Sequence, residues 1–114
     1  MQTKVKGLAP SLKEKKRYIN IEIISPEGTS TKKDAYKKAE LKAQELLGVF
    51  DAAGAGIQLV EYSEKHGIIR ANNEYTDKAK AALMLIREIN GKKIIIRTTN
   101  TSGTLRKARE KISR

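Results

Sequence analysis

The sequence contains no cysteine and no tryptophan. Without thiols there is neither a disulfide framework nor a thiolate metal site, and that usage fits a reducing, intracellular setting. A single histidine, His66, excludes a nuclease that uses paired imidazoles as acid and base. His66 falls in a predicted hairpin turn, where an exposed, inert side chain is expected. No apolar run approaches the roughly 20 residues of a membrane-spanning helix. The N-terminal stretch MQTKVKGLAPSLKEKKRY has no apolar segment of the secretory type, so a cytoplasmic protein is expected. Acidic residues number 13 against 24 Lys and Arg. They are scattered, whereas a two-metal nuclease needs three or four on one strand edge. There is no nucleophile elbow and no His-plus-carboxylate metal spacing. Ala53–Gly56 precedes a predicted strand instead of opening a helix, so it fails as a dinucleotide phosphate loop. The chain is therefore expected to carry no active site, metal or cofactor of its own.

What is abundant is positive charge, +11 over 114 residues. Residues 1–17 hold six basic residues and one acidic, as do residues 97–114, so each end carries +5. The middle of the chain carries only +1. Two basic ends flanking a near-neutral domain suit a polyanion, and nucleic acid is the leading partner. A membrane-surface helix needs a broad apolar face. The N-terminal end offers only Leu8 and Leu12, and the C-terminal end Leu105, Ala108 and Ile112.

Hydrophobic periodicity supplies the fold. Residues 1–16, with Gly7 and Pro10, read as an irregular basic arm, and residues 17–114 as one domain. Residues 17–24 alternate, with Ile19, Ile21 and Ile23 on one side and Tyr18, Asn20 and Glu22 on the other, as in a half-buried strand. A helix capped by Ser30 or Thr31 follows, with Ala35, Ala39, Ala43, Leu46, Leu47 and Phe50 at helical spacing. Gly48–Gly56 reads as a glycine-rich connection. Residues 57–63 and 67–72 form a strand hairpin. Thr76 is expected to cap a second helix whose stripe is Ala79, Ala82, Leu83, Ile86 and Ile89, closed by Gly91. Residues 92–99 form a fourth strand, and residues 102–113 a short basic helix. The order βαββαβ implies an α+β, ferredoxin-like sandwich. Its four-stranded antiparallel sheet carries both helices on one face, with the first and third strands central.

The binding candidates follow from this placement. Lys13, Lys15, Lys16 and Arg17 run into the first strand, which ties them to a sheet edge. Tyr18, Arg70 and Arg97 belong to the face away from the helices, with Tyr18 and Arg70 as neighbours. One aromatic is too few for the base-stacking platforms of sheet modules that read single strands, so shape and phosphate contacts are favoured. Ser102-Gly103-Thr104 opens the last helix. Free N–H groups, partial positive charge, hydroxyls and an unobstructed backbone can together receive a phosphate there, or simply cap the helix. Arg106, Lys107, Arg109 and Lys111 extend that positive surface.

Pro10–Ile19 (PSLKEKKRYI), Gly67–Arg70 (GIIR) and Ser102–Arg109 (SGTLRKAR), with the Ala81-Ala82-Leu83 helix leading to Gly91, resemble the archaeal ribonuclease P protein component 2 family. The resemblance spans roughly residues 8–112. It implies a βαββαβ core with added terminal helices, in a subunit of the ribonucleoprotein that removes the 5′ leader from precursor tRNA. The implied catalyst is the RNA subunit with bound Mg2+. The implied protein partner is component 3, commonly in a two-plus-two assembly that includes self-association, and precursor tRNA is met only indirectly. RNA contact would fall on Lys13, Lys15, Lys16, Arg17, Arg70, Ser102, Gly103, Thr104, Arg106, Lys107 and Arg109. Two rivals use the same topology. One is another RNA-binding subunit of the ribosomal-protein kind. The other is a small acylphosphatase-like hydrolase, which needs an Arg in the loop after the first strand; Ser25-Pro26-Glu27-Gly28 has none.

Overall fold

The computed structural model describes residues 15–26, 32–63 and 66–112. Lys13, the Ser30 or Thr31 cap and the tip of the hairpin turn lie outside the described residues. The elements are β1 (Lys16–Ile24), α1 (Lys32–Ala55), β2 (Gln58–Tyr62), β3 (Gly67–Asn72), α2 (Thr76–Leu85), β4 (Glu88–Ile89), β5 (Lys92–Lys93), β6 (Ile95–Ser102) and α3 (Leu105–Ile112). β2, β3, β1 and β6 form one antiparallel sheet in that order, with β1 and β3 central as expected.

The alternation of β1 translates directly into two faces. Ile19, Ile21 and Ile23 are buried with Ile69, Ala71 and Ile96 beneath α1 and α2. Ala35, Ala39 and Ala43 of α1, and Ala79, Ala82 and Leu83 of α2, complete that core. Small residues on the helix faces let both helices lie close to the sheet. Each fully buried Ile or Leu in such a core stabilises it by about 1.5–3 kcal/mol. Gly67 is fixed by a close approach. The ring of Tyr36, fully buried, lies where a Cβ would stand 2.6 Å from its Cδ1. That burial also pushes the Tyr36 hydroxyl above its usual pKa. On the outer edge of β2, Glu40 accepts the Leu59 N–H at 2.7 Å, while Gln44 donates to the Ile57 carbonyl at 3.1 Å. α1 thus satisfies backbone groups that an edge strand would leave open.

Four expectations are corrected. Gly48–Gly56 is not a loop: the chain leaves helical geometry only at Gly48 (φ 84°, ψ 170°), and helix resumes to Ala55. That φ suits glycine and few other residues, while the alanines that follow favour helix. Of the expected stripe, Leu46 before the break and Phe50 after it are exposed, at 53% and 90%, as is Val49 at 82%. Thr76 is not a cap; it is the first helical residue after a 3-10 turn at Asn73–Tyr75, and its hydroxyl donates to the Asn73 carbonyl at 2.9 Å. α2 ends at Leu85, so Ile86 and Ile89 are buried from outside the helix. Asn90 and Gly91 have φ of 57° and 76° and form the turn of the β4–β5 hairpin. An Asn-Gly pair with both φ positive is the favoured two-residue hairpin turn, and here it outcompetes a helix cap. Finally, the fourth strand of the sheet starts at Ile95 and runs to Ser102, so Ser102 ends a strand and does not open a helix.

The face away from α1 and α2 is partly covered. α3 crosses it, burying Ala108 against β1, where Asn20 Nδ2 donates to the Ala108 carbonyl at 3.1 Å. Ile112 reaches a small pocket floored by Ile68, an apolar residue buried on this face and not in the main core.

Candidate nucleic-acid interface

The two basic ends meet. Antiparallel pairing of β1 with β6 sets Tyr18 opposite Ser102. The start of β1 therefore lies beside the link from β6 to α3. Lys15, Lys16, Arg17 and Tyr18 on one side, and Gly103, Thr104 and Leu105 on the other, line an open depression of about 460 Å³. Thr104 caps α3, its Oγ1 accepting the Lys107 N–H at 3.1 Å. Gly103 is exposed, and a Cβ there would meet nothing within 4 Å. The fold does not need a glycine at that position, although close approach by a ligand backbone does. Ser102, by contrast, is buried, so its hydroxyl is not offered to a ligand.

The cations differ in what holds them. Lys16 Nζ donates to Asn72 Oδ1, and Arg17 Nε donates to Asn73 Oδ1 at 2.8 Å. Arg70, paired in register with Tyr18 on the open face, donates to Gln58 Oε1. All three partners are neutral amides, which orient a cation without cancelling its charge. Arg97 and Arg109 meet carboxylates. Arg97 bonds Glu22 Oε1, and His66 Nε2 lies 3.0 Å from the other Glu22 oxygen. The Arg97 hydrogen bond, foremost, holds the Glu22 carboxyl below its ordinary pKa. His66 is thus a half-buried partner of Glu22, not the idle turn residue expected. Arg109 engages both oxygens of Glu61, fastening α3 to β2. On the outer face of α3, Arg106 lies 3.6 Å from Glu110, and Lys107 and Lys111 are exposed. Arg106 and Lys107 sit one turn from the depression, while Lys111 is at the far end of the helix.

Sequence reasoning singled out Lys15, Lys16, Arg17, Tyr18, Gly103 and Thr104 and set Arg70 next to Tyr18; the structure brings the first six to one depression. Asn72, Asn73 and Asn20 escaped it, and each makes its bond across the fold. The available signal was Asn72-Asn73 itself, a polar pair where a strand hands over to a helix. Among the described residues no group of three or more His, Asp or Glu could hold a metal ion. No described helix is long and apolar enough to cross a membrane.

This arrangement has relatives. The chain is 39% identical over 113 residues to ribonuclease P protein component 2 of Pyrococcus horikoshii, covering 97% of this chain and 93% of that one. It is 35% identical to the Methanosarcina barkeri protein of the same name, covering 94% and 78%. With the Archaeoglobus fulgidus protein of that name it shares 32% identity over 94% and 96%. Among solved structures, a chain of yeast ribonuclease MRP superposes with a TM-score of 0.61 at 12% identity, over 87% of this chain and 92% of that one, a likeness of fold. The sequence pattern of the Rpp14/Pop5 family matches residues 17–113, from Arg17 in β1 through the end of α3. The chain belongs to the Rpp14/Pop5 family.

Proposed function

We propose that this chain is a protein subunit of ribonuclease P that binds the catalytic RNA and, with component 3, supports removal of the 5′ leader from precursor tRNA in the cytoplasm. The observation that carries the RNA-binding part is the convergence of Lys15, Lys16 and Arg17 with the Gly103-Thr104 start of α3 on one open depression. Near-full-length relatives named ribonuclease P protein component 2 support the assembly. Lys and Arg there would neutralise phosphates and release counterions, with each contact contributing about 0.7–0.9 to the slope of log affinity against log salt. The Gly103 backbone and the Thr104 cap would let a phosphate approach closely. Catalysis belongs to the RNA subunit with its Mg2+, and the chain lowers the ionic strength that the folded RNA requires. A protein partner needs apolar surface. Leu46 and Leu85 line a shallow pocket between α1 and α2 with Lys42, Glu45, Arg87 and Glu88, which balance in charge, and Val49 and Phe50 are exposed further along α1. That patch suits component 3 better than RNA.

Reconstitution tests the reading. Adding this chain with component 3 to the cognate RNA should lower the Mg2+ concentration needed for leader removal. An unchanged Mg2+ requirement contradicts it and favours another RNA-binding subunit, of the ribosomal kind. Phe50→Glu should abolish the gain from component 3 while leaving RNA binding by this chain intact.

A further inference from the structure

Asn72 and Asn73 lie outside every residue set assigned above to RNA, yet they hold the start of the basic arm. The Asn73 N–H donates to the Lys15 carbonyl at 2.6 Å, and its Oδ1 accepts Arg17 Nε at 2.8 Å. Asn72 Oδ1 accepts Lys16 Nζ, while Asn72 Nδ2 donates to the Gly54 carbonyl at the end of α1. Asn72 is buried and so anchored; Asn73 is exposed, at the turn into α2. Three consecutive residues, Lys15 to Arg17, are thereby fixed by two consecutive asparagines 56 to 58 positions along the chain.

We propose that Asn72 and Asn73 are positioning residues that preset Lys16 and Arg17 for contact with the RNA backbone, a proposal that rests on the RNA-subunit reading above. Long cationic side chains lose rotamer freedom when they bind. Holding them beforehand removes part of that cost from the binding step. An amide serves where a carboxylate would not, because it accepts the hydrogen bond and leaves the positive charge for phosphate. The clamp therefore acts on affinity without adding any ligand contact of its own.

Salt-titrated binding of the full chain to its cognate RNA transcript provides the test. Asn73→Leu keeps the branched shape and removes the acceptor, and Asn73→Ala removes both; the site is exposed, so neither opens the core. Both should weaken binding roughly three- to tenfold, with the wild-type salt slope and an unchanged thermal midpoint. In an Arg17→Ala background the same substitutions should change nothing further. Asn73→Asp keeps the clamp but cancels a charge, and should lower the slope by about one contact. Wild-type affinity in the Leu and Ala variants, or equal loss with and without Arg17, would overturn the clamp alone. Salt-independent binding by the wild-type chain would overturn the RNA reading and the clamp with it.

Discussion

Two sets of cations on this protein, nearly identical in composition, are held in opposite ways. Lys16, Arg17 and Arg70 rest on the side-chain oxygens of Asn72, Asn73 and Gln58. Arg97 and Arg109 rest on Glu22 and Glu61. An amide fixes geometry and preserves the positive field; a carboxylate fixes geometry and removes it. On the proposed RNA-binding reading, the difference separates cations that would meet a polyanion from cations that tie the domain together. Arg109 ties α3 to the sheet, and Arg97 joins β6 to Glu22 of β1, which His66 also meets. Net charge alone makes the two sets indistinguishable.

Substitutions can break or sharpen that contrast. Reversing both charges in Lys16→Glu/Arg17→Glu should weaken RNA binding by roughly 100-fold or more at moderate salt, because two phosphate contacts become repulsions. Filter binding at fixed salt reads this directly, and a loss below about threefold would break the amide-held class. Removing the Gly103 approach comes next. Gly103→Ala should weaken binding roughly three- to tenfold, less than the full share of one charge-assisted hydrogen bond, with no change in melting temperature, since no protein atom opposes the added methyl. Glu61→Gln moves Arg109 from the carboxylate class to the amide class. It should tighten RNA binding by about two- to fivefold at low salt through the added net charge.

The smallest effect is on acid stability. The folded pKa of Glu22 is lowered chiefly by Arg97, so its stabilising contribution is complete above the unfolded carboxylate value near 4.3 and fades as pH falls through the folded value. The site is partly exposed, which limits the effect to less than about 1 kcal/mol. Thermal melts of wild type and Glu22→Gln should therefore diverge above about pH 5 and converge on acidification; parallel curves would contradict the pairing.

Much of the fold was legible because period-2 alternation acts locally. The spacing of Ile19, Ile21 and Ile23 already implied which side of β1 is buried, and with it that Tyr18 and Arg70 share the other face. What was hidden in α1 is the return to helix after Gly48: Gly48, Gly54 and Gly56 signal a loop, although the intervening alanines favour helix. The β4–β5 hairpin was masked by Ile86 and Ile89, which continue the helical spacing of α2 although the Asn90-Gly91 turn claims them. The site was half legible. The basic residues were visible, but apart from Arg70, whose Gln58 lies 12 positions back, and Arg106 beside Glu110, their partners lie 48 to 75 positions away, from Arg109–Glu61 to Arg97–Glu22, and only folding shows which acceptor each cation meets. Ser102 was misjudged for a related reason. Its strand continues to it, and pairing with Tyr18 buries it.

The most direct measurement is the salt dependence of RNA affinity for wild type, Lys16→Ala/Arg17→Ala and Arg97→Ala/Arg109→Ala. The amide-held pair should lower the slope of log affinity against log salt by about 1.4–1.8, and the carboxylate-held pair should lower it by less than about half as much. Equal losses of slope from the two pairs would contradict the division of the cations on which this account stands.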